Sequence, residues 1–195
     1  MATLGFDARR FEFDHGVRLL KQGYEGARDA LLKEIERIRA DARSYEEGLA
    51  NGGEWIGERE DGHVLWDQTD VYEAETEDAH RALYEVRRAF IIALYHHWER
   101  SAARWLGNDD ARHEQLERYC ASSGFGPSPD LNAVRCLANH LKHRPGSNSD
   151  WLIKLRKKHP SFLPHAQMSP FALSDADFET ITTVILASGP PEPTR

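Results

Sequence analysis

The fold class is indicated first by residues 17–49, which read VRLLKQGYEGARDALLKEIERIRADARSYEEGL. Apolar residues recur here in steps of three and four, the spacing that places them on one face of an α-helix. Charged residues such as Lys33, Glu34 and Arg37 lie on the opposite face. The pattern predicts a long amphipathic helix that packs in a bundle or, as a coiled-coil seam, against a partner. Its apolar stripe consists of Val17, Leu20, Tyr24, Ala27, Leu31, Ile35, Ile38, Ala42, Tyr45 and Leu49.

A second stripe with the same period runs from Tyr72 to Gly107 and predicts a second long helix. Between the two stripes, residues 50–69 break the helical pattern with Asn51-Gly52-Gly53 and Asp61-Gly62. The pair Asp61-Gly62, flanked by apolar residues, is typical of the turn in a short β-hairpin. The same segment also fits a mobile loop whose tryptophans dock on the helices, and the sequence leaves both structures open.

Shorter helices follow the second long one, and capping residues mark where several of them begin. Two long helices followed by several short ones predict an all-α bundle. We expect one domain over residues 1–188, with 50–69 as an insertion, and a flexible tail over residues 189–195. The short helices are expected from Asn108 or Asp109 to Gly124, from Leu131 to about Arg144, from the cap Ser149 to Pro160, and from the cap Ser174 through Leu186.

Charge is distributed unevenly along the chain, whose formal net charge is −7. Residues 135–159 contain seven Lys or Arg and one acidic residue, a net charge of +6, which leaves −13 for the rest. An acidic average argues against a protein that coats nucleic acid non-specifically, whereas the basic segment fits one anionic ligand such as an RNA backbone. A solvated helix end would carry the same charges. The candidate RNA contacts are Lys142, Arg144, Lys154, Arg156, Lys157 and Lys158.

Neither a membrane segment nor a metal motif is apparent in the sequence. No stretch reaches the roughly 18 apolar residues that a membrane-spanning helix needs, and charges interrupt the first residues where a signal peptide would be apolar. Cys120 and Cys136 stand apart, so each is predicted to be a buried free thiol rather than a zinc or redox ligand. We expect a cytoplasmic protein without a membrane partner, metal or cofactor.

The stretch that carries candidate chemistry is DLNAVRCLANHLKH, residues 130–143. On a helix that turns about 100° per residue, its apolar residues, including Leu137 and Leu141, fall on one side and face the core. Arginine offers a planar fork to phosphate oxygens, and histidine can act as a general acid or base near neutral pH. These residue types suit a phosphodiester. The residues expected away from the core are Arg135, Asn139, Lys142 and His143, with His140 at the edge, about 140° from Arg135.

Three features of this region resemble the HEPN family. The spacing from Arg135 to His140 matches its R-x4-6-H signature, in a helix in the later half of a small all-α domain. Residues 138–143, ANHLKH, are similar to the N-x-x-K-H variant of several bacterial HEPN-like families. The stretch YHHWE at residues 95–99 resembles the aromatic-rich helix of those proteins. The resemblance covers about residues 70–187.

This resemblance implies a HEPN-like bundle and a metal-independent endoribonuclease, a toxin or defence effector, that works on RNA as a homodimer. Two Arg/His helices would face each other across a two-fold axis. Arg135 would steady the phosphate, and His140 would activate the ribose 2′-hydroxyl or protonate the leaving group, which yields a 2′,3′-cyclic phosphate. Asn139 could orient either group, and His143 could take the base role instead. The chain departs from active members at Cys136, where they often carry Asn, Asp or His.

A second interpretation of the same residues is a catalytically silent HEPN-like module. Some HEPN domains bind nucleotides or regulatory proteins without cutting RNA. In that case Arg135 would be a surface or interface residue, and the stripe at residues 17–49 would bind a cognate antitoxin or another regulatory protein.

Overall fold

The computed structural model describes residues 7–143, 149–169 and 172–191. Within these residues the chain forms seven α-helices and one two-stranded sheet, which confirms the all-α prediction. The two long helices are confirmed, and shorter helices follow them. In chain order the elements are α1 (Ala8–Ala50), β1 (Gly57–Glu60), β2 (His63–Asp67), α2 (Gln68–Leu106), α3 (His113–Ser122), α4 (Leu131–His143), α5 (Asp150–Lys158), α6 (Pro164–Met168) and α7 (Asp175–Ala187).

Helix α1 begins at Ala8, earlier than the apolar stripe that starts at residue 17 suggests. The stripe extends one turn further back, because Phe13 is buried like Val17, four residues later. The carboxylate of Asp7 accepts a hydrogen bond of 2.8 Å from the backbone N–H of Arg9. This hydrogen bond satisfies one of the free amides at the start of the helix.

Residues 57–67 form a β-hairpin, which decides between the two structures that the sequence left open. Strands β1 and β2 are antiparallel, and the turn residues Asp61 and Gly62 have φ angles of 50° and 84°. Two positive φ angles in succession are what a type I′ turn requires, and the right-handed twist of paired strands favours this turn. Val64, Leu65 and Trp66 on β2 remain exposed.

The chain divides into two compact units, with boundaries inside α1 and α2. The unit of residues 25–86 contains the hairpin and a small core of Ile35, Ile38 and Ala79, against which Tyr72 packs. The hydroxyl of Tyr45 accepts a hydrogen bond of 2.9 Å from the backbone N–H of Ile56, which attaches the hairpin to α1. The expectation of one domain over residues 1–188 stays a prediction.

The other unit contains residues 7–24 and the described residues from Arg87 onward. Its interior is built from large side chains that are almost fully buried. It also holds Arg87, whose side chain is 11% exposed. The Arg87 guanidinium donates hydrogen bonds to the Tyr24 hydroxyl (2.9 Å), the Leu173 carbonyl (2.7 Å) and the Asp175 carboxylate (2.7 Å). These bonds join α1, α2 and α7. The core includes Phe13, Leu94, Trp98, Leu116, Leu131, Leu137, Leu141 and Phe178.

The helix caps predicted at Ser149 and Ser174 are confirmed. The Ser149 hydroxyl accepts a hydrogen bond from the backbone N–H of Leu152, and Ser174 forms a capping box with Asp177. Helix α3 begins later than predicted, after Arg112. The five-residue helix α6 was not predicted, because it is short and follows Leu163 in the left-handed region, with a φ of 45°.

Both cysteines are buried, and so is the start of the C-terminal segment. Cys120 and Cys136 are free and buried, as predicted. The flexible tail was expected to begin at Gly189, but Gly189 and Pro190 are buried, and Arg10 donates a hydrogen bond of 2.7 Å to the Pro190 carbonyl. Residues 192–195 lie outside the described residues. None of the helices that the structure describes combines the length and apolar content of a membrane span.

Candidate functional site

Helix α4 is buried over most of its surface. Leu131, Val134, Leu137 and Leu141 have no exposed area, as their helical spacing predicts. The side chains that reach the surface do so along a narrow strip. Asn132, Arg135 and Asn139 are partly exposed, and Lys142 and His143 are exposed at the end of the helix.

His140 does not lie on this strip, which corrects the expectation that it points away from the core. Its side chain is 0% exposed. Its Nδ1 is 2.7 Å from the hydroxyl of Ser149, the residue that caps α5. A helical wheel places His140 at the edge of the apolar stripe. The start of α5 covers that edge, and this packing cannot be read from α4 alone.

The second ring nitrogen of His140, Nε2, is buried and has no hydrogen-bond partner in the described part of the chain. Burial, with a smaller effect of the Arg156 charge, lowers the pKa of His140 below its ordinary value of 6.5. The ring is therefore neutral at physiological pH. In this position His140 acts on the fold, by fixing α5 against α4, and it is closed off from any substrate at the surface.

Arg135 lies at the surface between an acidic and an aromatic side chain. Its Nη1 donates a hydrogen bond of 2.7 Å to Glu114 on α3, and its guanidinium carbon lies 5.2 Å from the centre of the Trp151 ring on α5. The Arg135 hydrogen bond lowers the pKa of the Glu114 carboxyl to about 2. The Glu114 side chain is 59% exposed and the Arg135 side chain 18%, so water screens the carboxylate, and the pair contributes about 1 kcal/mol, the upper end for surface pairs. A phosphate group could replace the carboxylate at little cost.

Trp151 is flanked by a second cation. The Lys154 ammonium lies 4.5 Å from the centre of the same ring. Trp151 is partly exposed, and Lys157 and Lys158 are exposed further along α5. Cations interleaved with an aromatic ring are the arrangement that proteins use to bind single-stranded nucleic acid, through backbone charge and base stacking. We call this surface of Arg135, Asn139, His143, Trp151 and the α5 lysines the α4–α5 face.

Asn139 and His143 follow Arg135 at intervals of four residues, which places all three within an arc of about 80° on α4. The Asn139 amide donates a hydrogen bond of 3.0 Å to the backbone carbonyl of Arg135, and its orientation is thereby fixed. The structure therefore brings together Arg135, Asn139 and His143 but separates His140 from them. Lys142 is exposed beside His143, and Arg144 lies outside the described residues.

Arg156 differs from the other cations of α5. Its Nε donates a hydrogen bond of 3.1 Å to the carbonyl of Gln167 on α6. Its guanidinium is engaged in holding two helices together. We therefore leave Arg156 out of the α4–α5 face, although the sequence suggested it as an RNA contact.

A polar network on α2 and α3 was not identified as part of the site from the sequence. The hydroxyl of Tyr95 lies 3.1 Å from His113 Nδ1 and donates to Glu99 at 3.2 Å, and His96 lies 2.9 Å from the same carboxylate. Burial and the nearby Arg135 charge lower the pKa of His113 to about 4. The positive charge of Arg135 therefore acts on His113 in this network. The only signal in the sequence was the run YHHWE at residues 95–99.

The arrangement contains no evident metal centre. Among the residues that the structure describes, no three His, Cys, Asp or Glu side chains lie close enough together to hold a metal ion. The chain was also compared with known proteins. No family model, no characterised protein and no solved structure matches it.

The buried position of His140 predicts a specific pH dependence of stability. The unfolded histidine takes up a proton as the pH falls through about 6.5, whereas the folded one resists protonation, so folding stability is lost below that pH. The His140→Gln variant should lack this contribution, which is at most about 1.4 kcal/mol per pH unit. Urea unfolding of both proteins between pH 7.5 and 5 measures the difference in slope.

The matched control is His15→Gln, which replaces an exposed histidine on α1. It should keep the wild-type slope. If His140→Gln also kept that slope, His140 would not be a neutral buried group, and the account of this residue would be wrong.

Proposed function

We propose that the α4–α5 face binds RNA and that the protein is a metal-independent endoribonuclease of the HEPN type, a toxin or defence effector that acts as a homodimer. The observation that carries the proposal is the partly exposed Trp151 ring, with the Arg135 guanidinium carbon 5.2 Å and the Lys154 ammonium 4.5 Å from its centre. The surface is basic in a chain whose net charge is −7. A strand of RNA satisfies both the cations and the aromatic ring.

In the proposed complex, a phosphate of the RNA takes the place of the Glu114 carboxylate on Arg135. The planar fork of the guanidinium can hold two phosphate oxygens at once. Lys154 and Lys158 neutralise neighbouring phosphates, and a base stacks on the exposed part of Trp151. These interactions are independent of sequence, so we expect single-stranded or looped RNA to bind better than a regular duplex.

For the cutting step, the proposal assigns the base role to His143 rather than to the buried His140. A neutral imidazole removes the proton of the ribose 2′-hydroxyl, and the 2′-oxygen attacks the adjacent phosphorus. The bond from phosphorus to the 5′-oxygen breaks, and that oxygen takes a proton from a second, protonated imidazole. A second copy of the chain would supply this acid, its own His143, across a two-fold axis. Arg135 stabilises the charge on the phosphate oxygens during the step.

A second candidate function is supported by a different observation. The signature histidine His140 is fully buried, and Arg135 is paired with Glu114. Both features suit a HEPN-like module that binds RNA, a nucleotide or a regulatory protein without cutting. The two candidates share the α4–α5 face and differ in whether His143 performs chemistry.

Cleavage with matched histidine variants tests the leading proposal. Purified protein is incubated with total and transfer RNA in EDTA, and the fragment ends are analysed for a 2′,3′-cyclic phosphate. We expect wild type to cut the RNA. The cleavage rate of His143→Ala should be at least about a hundredfold lower, since general base catalysis contributes about 10²–10⁴-fold. The control His63→Ala changes an exposed histidine of the hairpin and should cut like wild type.

Equal cutting by wild type and His143→Ala would contradict the role of His143. RNA binding by wild type without cutting, under any of these conditions, would favour the silent module.

Glu114 provides a test of the binding step alone. Because its carboxylate competes with phosphate for Arg135, the Glu114→Gln variant should bind a single-stranded RNA about two- to fivefold more tightly than wild type. The control Glu117→Gln removes the same charge from the next turn of α3 and should change the affinity less. Fluorescence anisotropy with labelled RNA at fixed salt measures both. Equal affinities of the two variants would show that RNA does not displace Glu114.

A further inference from the structure

A small polar cavity of about 220 Å³ lies between the first turns of α1 and the last turns of α2. All its lining residues belong to the unit formed by residues 7–24 and those from Arg87 onward, and none lies on α4 or α5. Arg9 lines it from α1, and Arg100 and Arg104 line it from α2. The cavity is therefore separate from the residues of the α4–α5 face.

Three arginines line this cavity together with one acidic residue, Glu12. The nearest approach of Glu12 to Arg104 is 3.8 Å, and both side chains are largely exposed, so the pair neutralises the cavity weakly. Arg100 pairs with no carboxylate in the part of the chain that the structure describes, and its Nε donates to the His96 carbonyl of its own helix. Three arginines less the carboxylates of Glu12 and of Asp7, which pairs with Arg9, leave a net charge of +1, which favours an anion.

The three arginines of the cavity are exposed, whereas His97 and Phe13 in its wall are packed against each other. The His97 ring stacks on the Phe13 ring, with the two ring centres 5.2 Å apart. The Nε2 of His97 donates a hydrogen bond of 3.0 Å to the backbone carbonyl of Phe13. The ring also lies against Gly16, where an added Cβ would clash with His97 Cε1. Only glycine leaves room for the ring in this place. The Trp105 ring packs edge-to-face against the Phe13 ring, with the ring centres 5.5 Å apart.

Arg9 is also held in place. Its guanidinium pairs with Asp7 at 3.2 Å and lies 5.4 Å from the centre of the Phe125 ring. A cation fixed by an aromatic ring loses less conformational entropy when it binds a ligand. The cavity is therefore lined by one restrained arginine from α1 and two arginines from α2.

We infer that this cavity binds the phosphate group of a small phosphorylated molecule, a phosphate monoester. The net positive charge at the cavity favours an anionic phosphate, whose oxygens match the planar forks of arginine. The volume of about 220 Å³ exceeds what one phosphate group fills and leaves room for an attached sugar-sized group. The partly exposed Trp105 on the wall suits the less polar face of such a group.

Isothermal titration calorimetry with two probes, inorganic phosphate and ribose 5-phosphate, tests the inference. The titrations use the full chain at constant ionic strength, with sodium chloride as the reference salt. We expect saturable binding of both probes, with ribose 5-phosphate at least as tight. The Arg100→Gln/Arg104→Gln variant should bind at least about tenfold more weakly, because it cannot form the charged hydrogen bonds to the phosphate oxygens.

Two further variants keep the result decisive. Arg81→Gln changes an exposed arginine outside the cavity and should bind like wild type. Glu12→Gln keeps all three guanidinium groups and removes the competing carboxylate, so it should bind more tightly. Any of three results would overturn the inference. Wild type could fail to bind either probe, the double variant could bind as tightly as wild type, or wild type could bind inorganic phosphate but not ribose 5-phosphate. These readouts involve no RNA, so their failure is distinguishable from failure of the proposed nuclease.

Discussion

A buried histidine joins two helices at the candidate site: His140 on α4 lies 2.7 Å from Ser149, which caps α5. Both polar groups are enclosed by the core, where an unpaired hydrogen-bonding group costs about 1–3 kcal/mol. The bond therefore fixes where α5 begins relative to α4. Because α5 begins there, Trp151 lies beside Arg135 and Lys154 follows one turn later. The surface chemistry depends on an interior hydrogen bond.

Much of the fold follows from helical periodicity and capping. The stripes at residues 17–49 and 72–107 predicted α1 and α2 because apolar spacing is a local property of the sequence. The sequence does not decide between a hairpin and a loop at residues 50–69, because an Asp-Gly turn flanked by apolar residues has the same composition in both. Helix α6 was missed because five residues cannot show a period, and the burial of Gly189 depends on Phe13, which is distant in sequence.

The candidate site was predictable in part. Helical spacing correctly placed Arg135, Asn139 and His143 on the outer strip of α4. It could not show that α5 covers His140, nor that Glu114 on α3 pairs with Arg135, because both interactions are tertiary. The same limit applies to the charge of α5, where Arg156 turns to Gln167 while Lys154 and Lys158 stay exposed.

The most direct test of the α4–α5 face as an RNA-binding surface is the salt dependence of RNA affinity, measured in the His143→Ala background. Replacing one lysine that neutralises a phosphate should reduce the slope of log affinity against log salt by about 0.7 for a single strand. Lys154→Gln/Lys158→Gln should therefore bind more weakly, with a slope smaller by about 1.4. Lys33→Gln on α1 should keep the original slope. A slope unchanged in the α5 variant would contradict the assignment of RNA to this face.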